Sequence, residues 1–219
     1  MNKKYCLCIF LLFAVIKCGY ACAHKIHNQS TDTVTNKIIP AAFAAPINEA
    51  LAHYPELKNT KITWRIKQAY TPLTTRPSFG SFFKAKSKRC YVITISDQTI
   101  DTLRHLLYNN LSYDEQVGIM GHELGHVVDF RSKNMLQSAR SAMGQLSSKY
   151  KDRMEYNTDM ICIQHGLGEQ LKKYSTYVRT KMHVQNWRGV DNVYHNDQKH
   201  ERYMNPETIE KFMRASHPE

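Results

Sequence analysis

The sequence lacks an apolar run long enough to cross a bilayer. Its longest, Tyr5 to Ile16, falls short of the ~20 residues a transmembrane helix needs, which argues against a membrane span. Acidic residues are few: 19 Asp and Glu stand against 30 Lys and Arg, for a formal charge of +11. Such a balance favours anionic surfaces or acidic substrates. The basic residues are scattered, as in Lys84-Ala85-Lys86-Ser87-Lys88-Arg89. No nucleic-acid fold signature accompanies them, so no nucleic-acid partner is expected. No internal repeat or long low-complexity segment is present, which excludes a repeat array. Cysteine is scarce after the first stretch: Cys6, Cys8, Cys18 and Cys22 come early, and only Cys90 and Cys162 follow. Those two either pair in an oxidising compartment or remain separate buried thiols.

The N-terminus has a recognisable order. Met1-Asn2-Lys3-Lys4 is basic, an apolar stretch follows, and Ala21-Cys22-Ala23 offers a small-residue cleavage site. Residues 1–23 are therefore expected to be a cleaved signal peptide, with His24 first in the mature chain and the protein exported to the periplasm or beyond. The alternative is a membrane-anchored lipoprotein acylated on Cys22. Loss of the three leader lysines leaves 27 basic against 19 acidic side chains, a charge of +8. Peripheral envelope association through that charge, or through a lipid on Cys22, is a possible partner interaction. Residues 24–45 are polar and then Ala-rich and read as a flexible arm. Residues 46–219 read as one domain.

What is present is more specific. Residues 122–126 are His-Glu-Leu-Gly-His. On a helix, His122 and His126 project from one face and can grip one metal ion. A catalytic zinc normally takes three protein ligands plus a water. Glu123 is placed to take a proton from that water. The pattern points to metal-assisted hydrolysis of an amide. Ser112-Tyr113-Asp114-Glu115 fits a capping box that opens a helix about ten residues earlier. Val117, Met120, Leu124, Val127 and Val128 supply apolar positions at helical spacing. Gly118, Gly121 and Gly125 are poor helix formers and imply that another backbone packs closely there.

A third ligand is needed. The metzincin continuation fails, because Asp129 stands where its Gly belongs and Ser132 where its third His belongs. Downstream, Glu155 and Asp159 are four apart and share a helix face. Either they form surface pairs with Arg153, or they face the two imidazoles as ligand and supporting carboxylate. Glu155-Tyr156-Asn157-Thr158-Asp159, followed by Met160, Ile161 and Ile163 and closed by Gly166, resembles the glutamate helix of the gluzincins. The resemblance is closest to zinc endopeptidases of the CAAX prenyl protease type and their small soluble relatives, which carry Glu-(Phe/Tyr)-x-Ala-Asp. Thr158 stands here in place of that Ala. The resemblance spans roughly residues 112–170. It implies Zn²⁺ held by His122, His126 and Glu155, with Asp159 fixing a histidine tautomer.

Along the rest of the chain, Pro46–Leu57 reads as a short helix and Lys61–Lys67 as a half-buried strand. Residues 71–80, with two prolines and a glycine, read as loop. Ser81–Phe83 and Cys90–Ile95 read as strands joined by the basic turn. Helices are expected over 100–108, 113–131, 136–150, 151–165, 167–179 and, opened by Asn205-Pro206, to Phe212. A small N-terminal sheet followed by helices is an α+β arrangement. The resemblance makes it zincin-like, with Cys90–Ile95 the expected cleft strand along which a peptide or protein substrate lies extended. An oxyanion donor is expected C-terminal to the glutamate helix, among His183, Tyr194, His195, His200, Arg202 and Tyr203. The stretch 194–202 resembles a His-Pro…Arg segment of the same family, lacking the Pro and one residue longer, which singles out His195 and Arg202. His105 and His165 read as structural. The expected activity is that of a secreted zinc metalloendopeptidase with Glu123 as base. Two alternatives stand beside it: a non-catalytic zinc-containing binding or assembly protein of the envelope, and a zinc amidase acting on a cell-wall peptide.

Overall fold

A computed structural model describes residues 31–32, 36–81, 84–191 and 201–216. The leader with Cys22, the first part of the arm, Phe82, Phe83 and His195 lie outside the described residues. The five strands are β1 (Thr31–Asp32), β2 (Lys37–Pro40), β3 (Lys61–Ile66), β4 (Leu73–Pro77) and β5 (Cys90–Ile95). Among the described residues six α-helices accompany them: α1 (Ala44–Ala52), α2 (Tyr113–Ser132), α3 (Met135–Gly144), α4 (Ser148–Cys162), α5 (Gly168–Met182) and α6 (Pro206–Ser216). The fold is α+β, with a small mixed sheet and a larger helical part. No described helix is long and apolar enough to cross a membrane.

The sheet runs β1-β2-β3-β5-β4. β3 pairs parallel with β2 and with β5, while β4 runs antiparallel to β5 with Thr75 opposite Ile93. Strand β3 alternates as expected, burying Ile62 and Trp64 and exposing Lys61 and Arg65. Strand β5 is buried from Tyr91 to Ile95, which suits an interior position. Here two sequence expectations are corrected. The stretch assigned to loop contains β4, since an edge strand needs its N–H groups on one side only and tolerates Pro72 and Pro77 at its ends. Ser81 is not in a strand, so the antiparallel neighbour of β5 is β4 rather than 81–83.

The arm is also corrected. The compact unit begins at Thr31, and β2 lies within it. Buried Lys37 is satisfied by three carbonyls, those of Leu57, Lys58 and Thr60, at 2.9, 3.1 and 2.7 Å. A buried ammonium requires such partners. Residues 100–108 form 3₁₀ turns, Asp101–Leu106 and Tyr108–Asn110, rather than an α-helix. The single helix expected over 136–150 is broken after Gly144, and Ser147 caps the next one.

Helix α2 runs through the main core. Its neighbours approach closely at the glycines. A Cβ at Gly118 would lie 2.3 Å from the Gln170 carbonyl oxygen, and one at Gly121 would lie 2.6 Å from Leu167 Cδ1. Tyr54 Oη donates to the Gly121 carbonyl at 2.7 Å, and Trp64 Nε1 reaches Met120 Sδ at 3.2 Å. These contacts hold α2 against α1 and the sheet. Cys90 and Cys162 are free thiols, and no disulfide joins them.

Candidate metal centre

Helix α2 carries His122, Glu123 and His126 inward, at 2, 6 and 7% exposure. Burying three such groups is costly unless each has a partner, and the partners come mainly from α4. His122 Nδ1 donates to Asp159 Oδ1 at 2.7 Å. The Thr158 hydroxyl donates to the Met154 carbonyl at 2.9 Å, so it accepts from His126 Nδ1 at 3.2 Å. Both imidazoles thus carry a proton on Nδ1, which turns the Nε2 lone pair toward a cation, whether metal ion or proton.

Those lone pairs converge. His122 Nε2 and His126 Nε2 are 3.1 Å apart, and Glu155 Oε2 lies 3.1 Å from each. Three electron-rich atoms at this separation repel one another unless a cation lies among them. The three side chains can hold a metal ion. His122 Nε2, His126 Nε2 and Glu155 Oε2 would hold such an ion, a set of three protein ligands of the kind a catalytic zinc takes. A proton is the other cation that answers the same need. Burial alone lowers the basicity of His122, but its hydrogen bonds to Asp159 and Glu155 win and raise it well above the usual histidine value. Burial alone raises Glu155, but the His126 charge and the hydrogen bonds from both imidazoles bring its carboxyl below the usual carboxylate range.

Two groups border this triangle. Thr75, in the middle of edge strand β4, donates from Oγ1 to Glu123 Oε2 at 2.6 Å. That bond aligns one carboxylate oxygen and ties Glu123 to the strand. Tyr203 packs its ring 5.6 Å from that of His122. Burial, and then the Glu155 charge, push its hydroxyl well above the usual value, so it stays a proton donor.

The expected site residues divide. His122, His126 and Glu155 come together as a group that could hold a metal ion, Asp159 bonds His122 next to it, and Glu123 is buried on the same helix. Arg202 is engaged elsewhere. Its guanidinium donates to Asp152 at 2.8 Å, Asp191 at 2.7 Å, Ser148 Oγ at 3.2 Å and the Arg188 carbonyl at 2.9 Å. It clamps the 202–204 segment onto the start of α4. The Met204 N–H then donates to Asp159 Oδ2 at 2.7 Å, which leaves Tyr203 facing the histidines. His165 sits in a π-helical turn, stacked 4.1 Å from Tyr54, with Nε2 on Glu56 at 2.8 Å. His105 lies in the 3₁₀ turn, its carbonyl accepting from Tyr177 Oη at 2.9 Å. Sequence reasoning missed Thr75 and the role of Thr158. The first depends on a strand pairing across the fold. The second was visible as the residue one turn beyond Met154, which a Thr hydroxyl bonds in a helix. Comparison with family models, curated proteins and solved structures finds no match for the chain.

Proposed function

We propose that this protein is an exported zinc metalloendopeptidase of gluzincin type with a zincin-like arrangement. The observation that carries the reading is the convergence of the two Nε2 lone pairs and Glu155 Oε2 within 3.1 Å. His122, His126 and Glu155 would hold the zinc, a donor set that suits this ion. Bound there, zinc supplies Lewis acidity that acidifies water and polarises a carbonyl.

The chain's own residues supply the rest. Glu123 takes the proton from the attacking water and returns it to the leaving amine. Thr75 orients that carboxylate and leaves Oε1 for the proton. Tyr203 replaces Arg202 as the oxyanion donor, because Arg202 is engaged with two carboxylates. The substrate strand also moves. β5 is interior, between β3 and β4, so an extended peptide would add to the free edge of β4, whose Thr75 touches Glu123.

The test is hydrolysis of a mixed peptide library by zinc-loaded protein, with Glu123→Gln beside it. The variant is expected to lose ~10²–10⁴ in turnover with its metal content unchanged. Equal cleavage by both proteins would remove Glu123 from the chemistry. No cleavage by either, with metal retained, would turn the reading toward a non-catalytic metal protein or a cell-wall amide substrate.

A further inference from the structure

The large aliphatic side chains most exposed among the described residues are Leu136 at 61%, Met143 at 67% and Leu146 at 92%. All three fall in α3 or directly after it. Leu136 and Met143 are seven residues apart, two helical turns, so they share a face, and Arg140 lies on that face between them. Exposed apolar residues gathered in one short segment mark an interaction surface, whereas scattered ones do not.

The charge around them is mainly basic. Lys133, Arg140, Lys149, Lys151 and Arg153 fall between residues 133 and 153, with Asp152 the one acid in that stretch. Asp152 already pairs with Arg188 and Arg202, and Asp129 with Lys133. Arg140, Lys149, Lys151 and Arg153 have no carboxylate partner among the described residues. Beside α3 an open cavity of about 530 Å³ is lined by Lys133, Arg140, Arg153, Tyr150 and Ser141, with Asp129 on its wall paired to Lys133. It has room for a phosphate-sized anion between the cations.

We infer that the α3 face, with its basic cavity, is a docking surface for an anionic lipid bilayer. Leu136, Met143 and Leu146 enter the interfacial region. Arg140 and Arg153 reach phosphate headgroups, the arginine lying along the apolar side chains it separates. A peptide partner would explain the apolar residues, but it would leave unexplained why the side chains left without a carboxylate partner around them are all basic. This surface is independent of the metal centre and does not rest on peptidase activity.

The test uses the full chain and vesicles of phosphatidylcholine, alone or with roughly one-third phosphatidylglycerol. A Leu146→Trp variant reports locally, because the native Trp64 and Trp187 are 3 and 7% exposed. Its emission is expected to shift to the blue, and to be quenched by brominated lipid, with anionic vesicles only. Reversing Arg140 and Arg153 to Glu is expected to lower partitioning about a hundredfold or more. A Leu136→Ser/Met143→Ser/Leu146→Ser variant is expected to abolish the anion-dependent part while keeping the far-ultraviolet dichroism. Three outcomes overturn the inference: no preference for anionic vesicles, vesicle binding without quenching at position 146, or a dimer in sedimentation that the triple variant dissolves.

Discussion

Helices α2 and α3 are separated by two residues and begin with the same device. The Ser112 N–H donates to Glu115 Oε2 at 2.7 Å, and the Asn134 N–H donates to Gln137 Oε1 at 2.8 Å. Beyond that start they are opposites. α2 hides two histidines and a glutamate, and α3 shows a leucine and a methionine to solvent. Each inverts the ordinary partition of polar and apolar side chains, and inversions are the informative cases. Capping starts a helix, but it does not say what the helix is for. In α2 the buried polar groups are matched by carboxylates and a hydroxyl from α4. In α3 the exposed apolar groups have no match among the described residues. The first pattern implies a ligand held inside, the second a partner outside.

If this contrast is real, crowding α2 should hurt most. In an exposed helix Gly→Ala stabilises by ~1 kcal/mol. At Gly118 the added methyl would meet the Gln170 carbonyl oxygen at 2.3 Å, a backbone atom that cannot swing away. Gly118→Ala is expected to destabilise by about 1–3 kcal/mol, seen as a lower denaturant midpoint at unchanged slope. A higher midpoint would mean that α2 and α5 are not in close contact.

The second effect is on metal rather than fold. Asp159→Asn keeps the shape but weakens the acceptor for His122 Nδ1. Metal affinity is expected to fall ~10–100-fold in a chelator competition. Unchanged affinity would separate Asp159 from the centre.

A third effect follows from protonation. In the metal-free protein the His122 imidazole is held above its usual 6.5, the Asp159 and Glu155 hydrogen bonds overcoming burial. A proton there competes with metal for Nε2. Apparent affinity is expected to rise about tenfold per pH unit from the usual value until the raised, folded one is passed. Stability of the metal-free form has the opposite sign. A raised histidine stabilises fully below its unfolded value, and that contribution is lost as pH rises through the folded one. Thermal melts with chelator should therefore weaken over that window, while metal-loaded protein strengthens.

How much of this contrast could be seen in the residues alone differs between the two helices. His122, His126, Glu155 and Asp159 were legible because helical spacing puts each pair on one face, and two such faces with complementary chemistry have one good way to meet. The glycines of α2 were legible as a close approach for the same local reason. β4 was not, because Leu73-Thr74-Thr75-Arg76-Pro77 looks like loop until β5 is there to pair with it. The ion pairs of Arg202 were not legible, for a long-range reason. Nothing near it in sequence shows that Asp152 lies beside it, fifty residues earlier along the chain. The break between α3 and α4 escaped notice as well, since Gly144 alone is weak evidence for a helix end.

The smallest expected effect is the sharpest check on α3. If Met143 and Leu146 contribute nothing to the folded chain, replacing both by Ser should leave unfolding free energy within about 0.5 kcal/mol of the parent. The matching change in α2, Leu124→Ala at a fully buried position, is expected to cost about 2–5 kcal/mol. Urea unfolding of the two variants side by side measures the difference. A large loss for Met143→Ser/Leu146→Ser would mean that these side chains pack against the chain itself, and the opposition between the two helices would collapse. A negligible loss leaves two exposed apolar residues that folding does not require. Their presence among basic side chains that lack a carboxylate partner then has to be explained by what that surface touches.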